Sequence, residues 1–158
     1  MSDARFEDAR ESPLNLGALE ADDLKVISAL TQDAVFPATA MTWRAGRRRF
    51  GLLLNRFRWE DHASSPARRG PAERVQSLLV IDNVLAVASN GIDRRDPDLV
   101  LSLLSIDWHA GREPAGELHL LLAGDGALRL RVEALEVSLK DVTRPYIAPS
   151  RKVPDHGV

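Results

Sequence analysis

Arg47-Arg48-Arg49-Phe50-Gly51-Leu52-Leu53-Leu54-Asn55-Arg56-Phe57-Arg58-Trp59-Glu60 is the stretch whose reading decides the fold. In an extended strand successive side chains point to opposite faces, so Phe50, Leu52 and Leu54 share one face while Leu53, Phe57 and Trp59 share the other. Both faces are then apolar through the middle of the segment, which predicts a strand at the centre of a sheet, covered on both sides or curled into a barrel. At its far end the pattern breaks into Asn55, Arg56, Arg58 and Glu60 between large aromatics, as a core strand does where it emerges at a rim. A helix fits poorly, because the apolar residues form no stripe at 3.6 spacing and Gly51 would weaken one.

Outward from this strand the chain punctuates itself. Ala45-Gly46 predicts a hairpin turn back to an extended Ala38–Arg44, in which Met41 and Trp43 share a face. Before Pro37 the period changes: Asp22 and Asp23 suit the positive end of a helix dipole, and Leu24, Ile27, Leu30 and Ala34 recur at three or four residues, which predicts a helix over Leu19–Gln32. Leu14, Leu16 and Ala18 alternate as a short strand ahead of it.

After the central strand, 61–73 is rich in Ser, Pro and Gly and reads as a long exposed loop. Strands are predicted at Arg74–Ile81 and Val84–Ser89, joined as a hairpin by Asp82-Asn83, and at Leu99–Trp108 beyond a polar loop. Glu117–Leu122 and Ala127–Val132 form a hairpin about Gly124-Asp125-Gly126, with Leu128, Leu130 and Val132 inward and Arg129 and Arg131 outward. The segment 133–142 fits a strand or a helix, and Glu133, Ala134, Glu136 and Lys140 tip the reading to a short helix.

The predicted organisation is a tail over 1–13, one α+β domain over 14–144 and an irregular C-terminal tail over 145–158. The fold class is α+β: an antiparallel sheet bent into a roll or partly open barrel with an N-terminal and a C-terminal helix. A terminal helix plugging one end would make this pleckstrin-homology-like.

Composition narrows the chemistry. A chain of 158 residues can bury about 70% of its unfolded surface without staples. It contains no cysteine, which removes disulfides, thiolate metal sites and thiol nucleophiles, and fits a cytoplasmic location. Its longest apolar runs fall far short of the ~20 residues of a membrane-spanning helix, and the N-terminal residues lack the apolar core of a secretion signal. A net charge of −2 makes no global case for nucleic acid or an acidic membrane. Lys25, Lys140 and Lys152 are the only lysines among 21 basic residues, a bias assigned at this level to composition rather than to function.

Three residue sets could carry function. Asn55, Arg56, Trp59 and Glu60, together with Asn90 and Asp93, could meet at one barrel rim and hold a small ligand or a partner's peptide; the structural alternative has Asn90 and Asp93 making turn bonds and Arg56 pairing with Glu60 at the surface. Arg44, Arg47, Arg48 and Arg49 form a basic patch that, with Trp43, Phe57 and Trp59, could take single-stranded RNA, although alternation turns Phe57 and Trp59 toward the face of Leu53. Asp107 and His109, two apart on one strand face, could be an acid/base pair or two metal ligands, but no third ligand is identifiable. No catalytic, cofactor or metal residue is assigned, and no nucleophile elbow, phosphate loop or metalloprotease helix occurs.

The segments Asp23-Leu24, Val26–Ala29, Gln32–Val35, Arg49-Phe50, Leu53–Phe57, Trp59-Glu60, Gly91–Asp93, Leu101–Ile106 and Leu128-x-Leu130-x-Val132, with Pro114-x-Gly116 and Pro154-x-His156, together resemble an uncharacterised bacterial family, found chiefly in alphaproteobacteria and labelled domain of unknown function 2948. The resemblance covers nearly the whole chain after Pro13 and implies a small cytoplasmic protein with no established activity, cofactor or catalytic residue. Asp107-Trp108-His109 departs from the family pattern, so a role for His109 would be private to this chain. Taken together, the residues point to a non-enzymatic binding or adaptor module working through protein–protein contacts and able to form a homodimer through a free sheet edge. An RNA-associated protein using the hairpin 44–58 and an enzyme or small-ligand binder at the rim are the alternatives.

Overall fold

A computed structural model describes residues 13–58, 73–93, 95–143 and 146–147. In chain order the elements are β1 (Asn15–Ala18), α1 (Ala21–Leu30), β2 (Val35–Pro37), β3 (Met41–Arg44), β4 (Arg49–Phe57), β5 (Glu73–Ile81), β6 (Val84–Asn90), β7 (Val100–Ala110), β8 (Gly116–Leu122), β9 (Ala127–Val132), β10 (Val137–Asp141) and β11 (Tyr146–Ile147). Short 3-10 turns at Ala38–Ala40 and Ala45–Arg47 flank β3. All the strand pairings are antiparallel, in the order β1-β10-β5-β4-β2-β7-β8-β9-β6, with β11 beside β5 and β3 beside β4. The sheet is open: β1 ends the order on one side and β6 on the other.

β4 is central, as its composition predicts, but only one of its faces is core. Phe50, Leu52, Leu54 and Arg56 are buried in alternation, while Leu53 stays 38% exposed on the other face. Far from emerging at a rim, the strand's end is enclosed: Phe57 and Arg58 are buried, Phe57 under the Arg74 guanidinium 4.1 Å from its ring centroid, and Arg58 in an ion pair with Glu73 at 2.8 Å. One edge of β4 pairs with β5 from Phe50 to Phe57. The other is divided, with Asn55 meeting Val35 of β2 and the span Arg49–Leu52 meeting β3.

The helix is shorter than its periodicity suggests. It starts after Glu20, buries Leu24 and Ile27, and stops at Thr31, whose hydroxyl donates to the Ile27 and Ser28 carbonyls. Asp33 then takes a left-handed φ of 65° and its N–H donates to the Leu103 carbonyl, which passes the chain into β2. Ser28 accepts from the Ile106 N–H, beside the register shift between Leu103 and Ser105, so the helix packs on the irregular part of β7.

Three sequence expectations are corrected. Residues 133–142 form no helix: Val137, Leu139 and Asp141 are buried in alternation in β10, which lies between β1 and β5. That removes the terminal helix on which a pleckstrin-homology-like arrangement depended. β5 and β6 form no hairpin; at Asn83, with φ 62°, the chain crosses over and β6 pairs with β9 instead. The C-terminal region is not wholly irregular, since Tyr146–Ile147 pairs with Glu73 and Arg74. The hairpins β3–β4 and β8–β9 are as predicted. Trp59, Glu60, most of the loop 61–73 and most of both tails lie outside the described residues.

Candidate binding site

The divided edge of β4 borders a hollow in the surface. β2 turns away to pair with β7, β3 stays with β4, and among the described residues the other edge of β3 pairs with nothing. Across the interior lies β6, whose only described partner is β9. β6 meets the turn that joins β3 to β4 where the Val84 N–H donates to the Arg48 carbonyl at 2.8 Å. Between β3 and β6 lies the hollow, of about 520 Å³. Met41 and Trp43 of β3 line one wall and Val87 and Ser89 of β6 the other, over a floor of Phe50 and Leu128. Its mouth is the loop holding Ile92, Arg95, Asp96 and Pro97.

The polar groups at the mouth serve the loop itself. Asp93 accepts from the Arg95 N–H and Asp96 from the Asp98 N–H, the side-chain-to-backbone bonds that Asp offers two residues on. The Arg95 side chain lies 3.7 Å from Asp93 and is almost fully solvated. Inside the hollow the lining is mainly apolar, with Thr39 and Ser89 as its polar side chains away from the mouth.

The described members of the proposed rim set, Asn55, Arg56, Asn90 and Asp93, are spread over separate faces and strands, and Trp59 and Glu60 lie outside the described residues. Asn55 and Arg56 are adjacent in β4 and so point to opposite faces; Asn55 lies beside Gln76 on the outer face, and Arg56 is wholly buried on the inner one. Asn90 ends β6 opposite Ala127 and Asp93 follows in the loop by the hollow, with β2, β7, β8 and β9 between them and β4 in the sheet order. Arg56 points inward: its Nη2 donates to both Asp141 oxygens at 3.0 and 3.1 Å, its Nε to Ser77 Oγ at 3.0 Å and Asp141 Oδ1 at 3.2 Å, and its Nη1 to the Phe57 carbonyl, while the expected partner Glu60 lies outside the described residues. Ser77 and the Leu14 N–H complete the Asp141 carboxylate.

The basic patch is partly neutralised. Arg48 pairs with Glu133 and Arg49 with Asp82 at 2.7 Å, the Asp82 carboxylate raising the Arg49 guanidinium above its usual range. Arg44 and Arg47 form no ion pair with a described acid. Trp43 faces the hollow, whereas its neighbour Arg44 faces the outer surface.

Asp107 and His109 gain neighbours that a single strand could not reveal. β7 and β8 pair Asp107 with His119 and His109 with Glu117, and the two imidazoles stack with centroids 3.9 Å apart. His119 Nε2 lies 3.0 Å from Glu117, and that hydrogen bond holds the Glu117 carboxyl below its ordinary range. Among the described residues no three such side chains are set to hold a metal.

A family model matches residues 14–156 of this sequence. The chain belongs to the family described as Protein of unknown function (DUF2948). No curated protein and no solved structure matches the chain. DUF2948 membership thus accounts for the resemblance along the sequence, and what the hollow does has to be argued from its own geometry. No helix among the described residues is long and apolar enough to cross a membrane.

Proposed function

We propose that this DUF2948 protein is a non-enzymatic binding module that accepts an extended segment of a partner protein in the hollow between β3 and β6. One observation carries the reading: the hollow is flanked by two strand edges that no described strand covers. An exposed edge offers unpaired N–H and C=O groups, and strand addition uses them for affinity while pockets for alternate side chains give specificity. Here the pocket is apolar and floored by Phe50 and Leu128, so the segment contributes apolar residues at every second position. RNA draws less support, because the arginines and Trp43 lie on opposite faces of the β3–β4 hairpin and cannot hold a phosphate and stack its base together.

Peptides selected from an unbiased display library against the full chain provide the test. The reading expects sequences with alternating apolar residues whose binding shifts the Trp43 indole signal and slows amide exchange in β6. Selected peptides that leave Trp43 and β6 unchanged would refute it, as would a small apolar molecule that fills the hollow tightly enough to displace every peptide. A volume of about 520 Å³ lies within the size of small-molecule sites, so that competition has to be run.

A further inference from the structure

The outer face of the same hairpin carries a second surface. Rows of registered residues cross β3, β4 and β5: Thr42 beside Gly51 beside Val80, and then Leu53 beside Leu78. An antiparallel sheet that faces water on one side ordinarily shows polar residues there. This one shows Gly51, Leu53, Leu78 and Val80, and the absent side chain at Gly51 leaves a trough of about 380 Å³. Arg44, Arg47 and Arg49 line one end, and Lys140 stands beyond Leu78 in register.

From this arrangement we infer that the trough docks an acidic amphipathic helix of a partner protein. Three strands about 4.8 Å apart make a floor roughly 10 Å wide, the diameter of one helix. The backbone of β4 at the middle of that floor is spent on both sides, on β3 and on β5, so a strand laid along it finds nothing to bond, and the edge of β3 left free among the described residues belongs to the hollow. A helix satisfies its own backbone and needs only an apolar floor. Charge chooses among helices: Arg44 and Arg47 carry no described acid, so acidic residues flanking the apolar stripe meet cations already in place. A second copy of this chain would set arginine against arginine across a two-fold axis, and like charges there are unfavourable.

Gly51 supplies a clean perturbation. A Cβ there meets nothing within 4 Å and the backbone is ordinary strand, so Gly51→Val projects into the trough from an unobstructed Cβ and suits the strand better than glycine does. A photo-crosslinking residue at Leu53 of the full chain, in its own cells, captures whatever lies in the trough, and mass spectrometry maps the captured segment. That segment is then synthesised and titrated against the wild type, Gly51→Val and the double variant Arg44→Glu, Arg47→Glu. The expected result is an acidic amphipathic helical segment, bound about tenfold or more weakly by either variant and weakened by salt. Capture of a second copy, of nucleic acid, of a non-helical segment, or of nothing beyond a control at Leu85 overturns the inference. Unchanged affinity in Gly51→Val, with its denaturation midpoint intact, overturns it as well. A crosslinker at Ser89 reports on the hollow independently, so failure of one surface is distinguishable from failure of the other.

Discussion

Replacing Asp141 by alanine is expected to cost more stability than any surface change, because of what it strands. Arg56 has no solvent exposure and Asp141 is 7% exposed; the carboxylate receives three bonds of 3.0–3.2 Å from the guanidinium, one from Ser77 Oγ at 2.6 Å and one from the Leu14 N–H at 2.9 Å. With the carboxylate gone, the buried cation loses its acidic partner among the described residues, and removing one partner of a buried pair costs about 3–5 kcal/mol. Against a total of about 5–15 kcal/mol this leaves the domain marginal, and at roughly 2–4 °C per kcal/mol the melting temperature falls on the order of 6–20 °C. Urea unfolding followed by circular dichroism measures the loss as a lower midpoint at unchanged slope. The double variant Arg56→Leu, Asp141→Leu removes both charges together and is expected to recover most of it, since apolar replacement of a whole buried pair is often neutral or better. A loss below about 1 kcal/mol in Asp141→Ala, or a double variant no more stable than the single, would refute the reasoning.

Neighbouring leucines of β4 should differ sharply: Leu54→Ala empties core space and costs about 2–5 kcal/mol, while Leu53→Ala on the open face stays within about 0.5 kcal/mol, both read by urea unfolding. Gly116→Ala places a methyl 2.5 Å from the Trp108 ring and 2.7 Å from the His109 carbonyl, so overpacking of about 1–3 kcal/mol should appear as a lower melting temperature. Glu117 titrates below its ordinary range because His119 hydrogen-bonds it, so the contribution of that contact to stability is present at pH values above the ordinary carboxylate range and is lost as pH falls through the depressed value. NMR titration of the Glu117 carboxyl in His119→Ala should show the midpoint move up.

Where one strand and its turn decide the outcome, the sequence is legible. The alternation of Leu128, Leu130 and Val132 with Arg129 and Arg131 puts β9 on the core, and the glycines about Asp125 close its hairpin. Legibility fails where partners lie far apart in the chain. Asp82-Asn83 has the chemistry of a tight turn, and Asn83 does take a left-handed φ of 62°, but the neighbouring N–H groups of Asp82 and Val84 bond to Glu136 and Arg48, and turn chemistry does not say which strand β6 then joins. Residues 137–141 alternate as cleanly as any strand, yet Glu136 and Lys140 are good helix formers, and only β5 and β1 on either side decide the matter. His109 opposite Glu117, by contrast, was within reach: a hairpin centred near Glu113 sets that pair and Asp107 with His119 by counting alone. The hollow is half legible, since alternation puts Met41 and Trp43 on one face, but Val87 and Leu128 come from strands that no local pattern brings there.

Composition also misleads about arginine. With so few lysines the guanidinium looks like an accident of coding, yet the structure uses properties that an ammonium lacks. Arg56 reaches both oxygens of one carboxylate, a hydroxyl and a carbonyl from a single planar fork, which a compact point charge on a flexible stem cannot do. The Arg74 guanidinium covers the Phe57 ring and shields an aromatic on the outer face, a stacked contact that suits a planar delocalised cation. These two arginines stand in register around the end of β4, Arg56 opposite Val75 and Phe57 opposite Arg74. One ties β4 through Asp141 to the end of β10 and the start of β1, and the other seals the face that β4 turns outward. The run from Arg47 to Arg58 thus divides by position: its first half borders a surface trough, and its last turns inward to join strands that meet nowhere nearby in the chain.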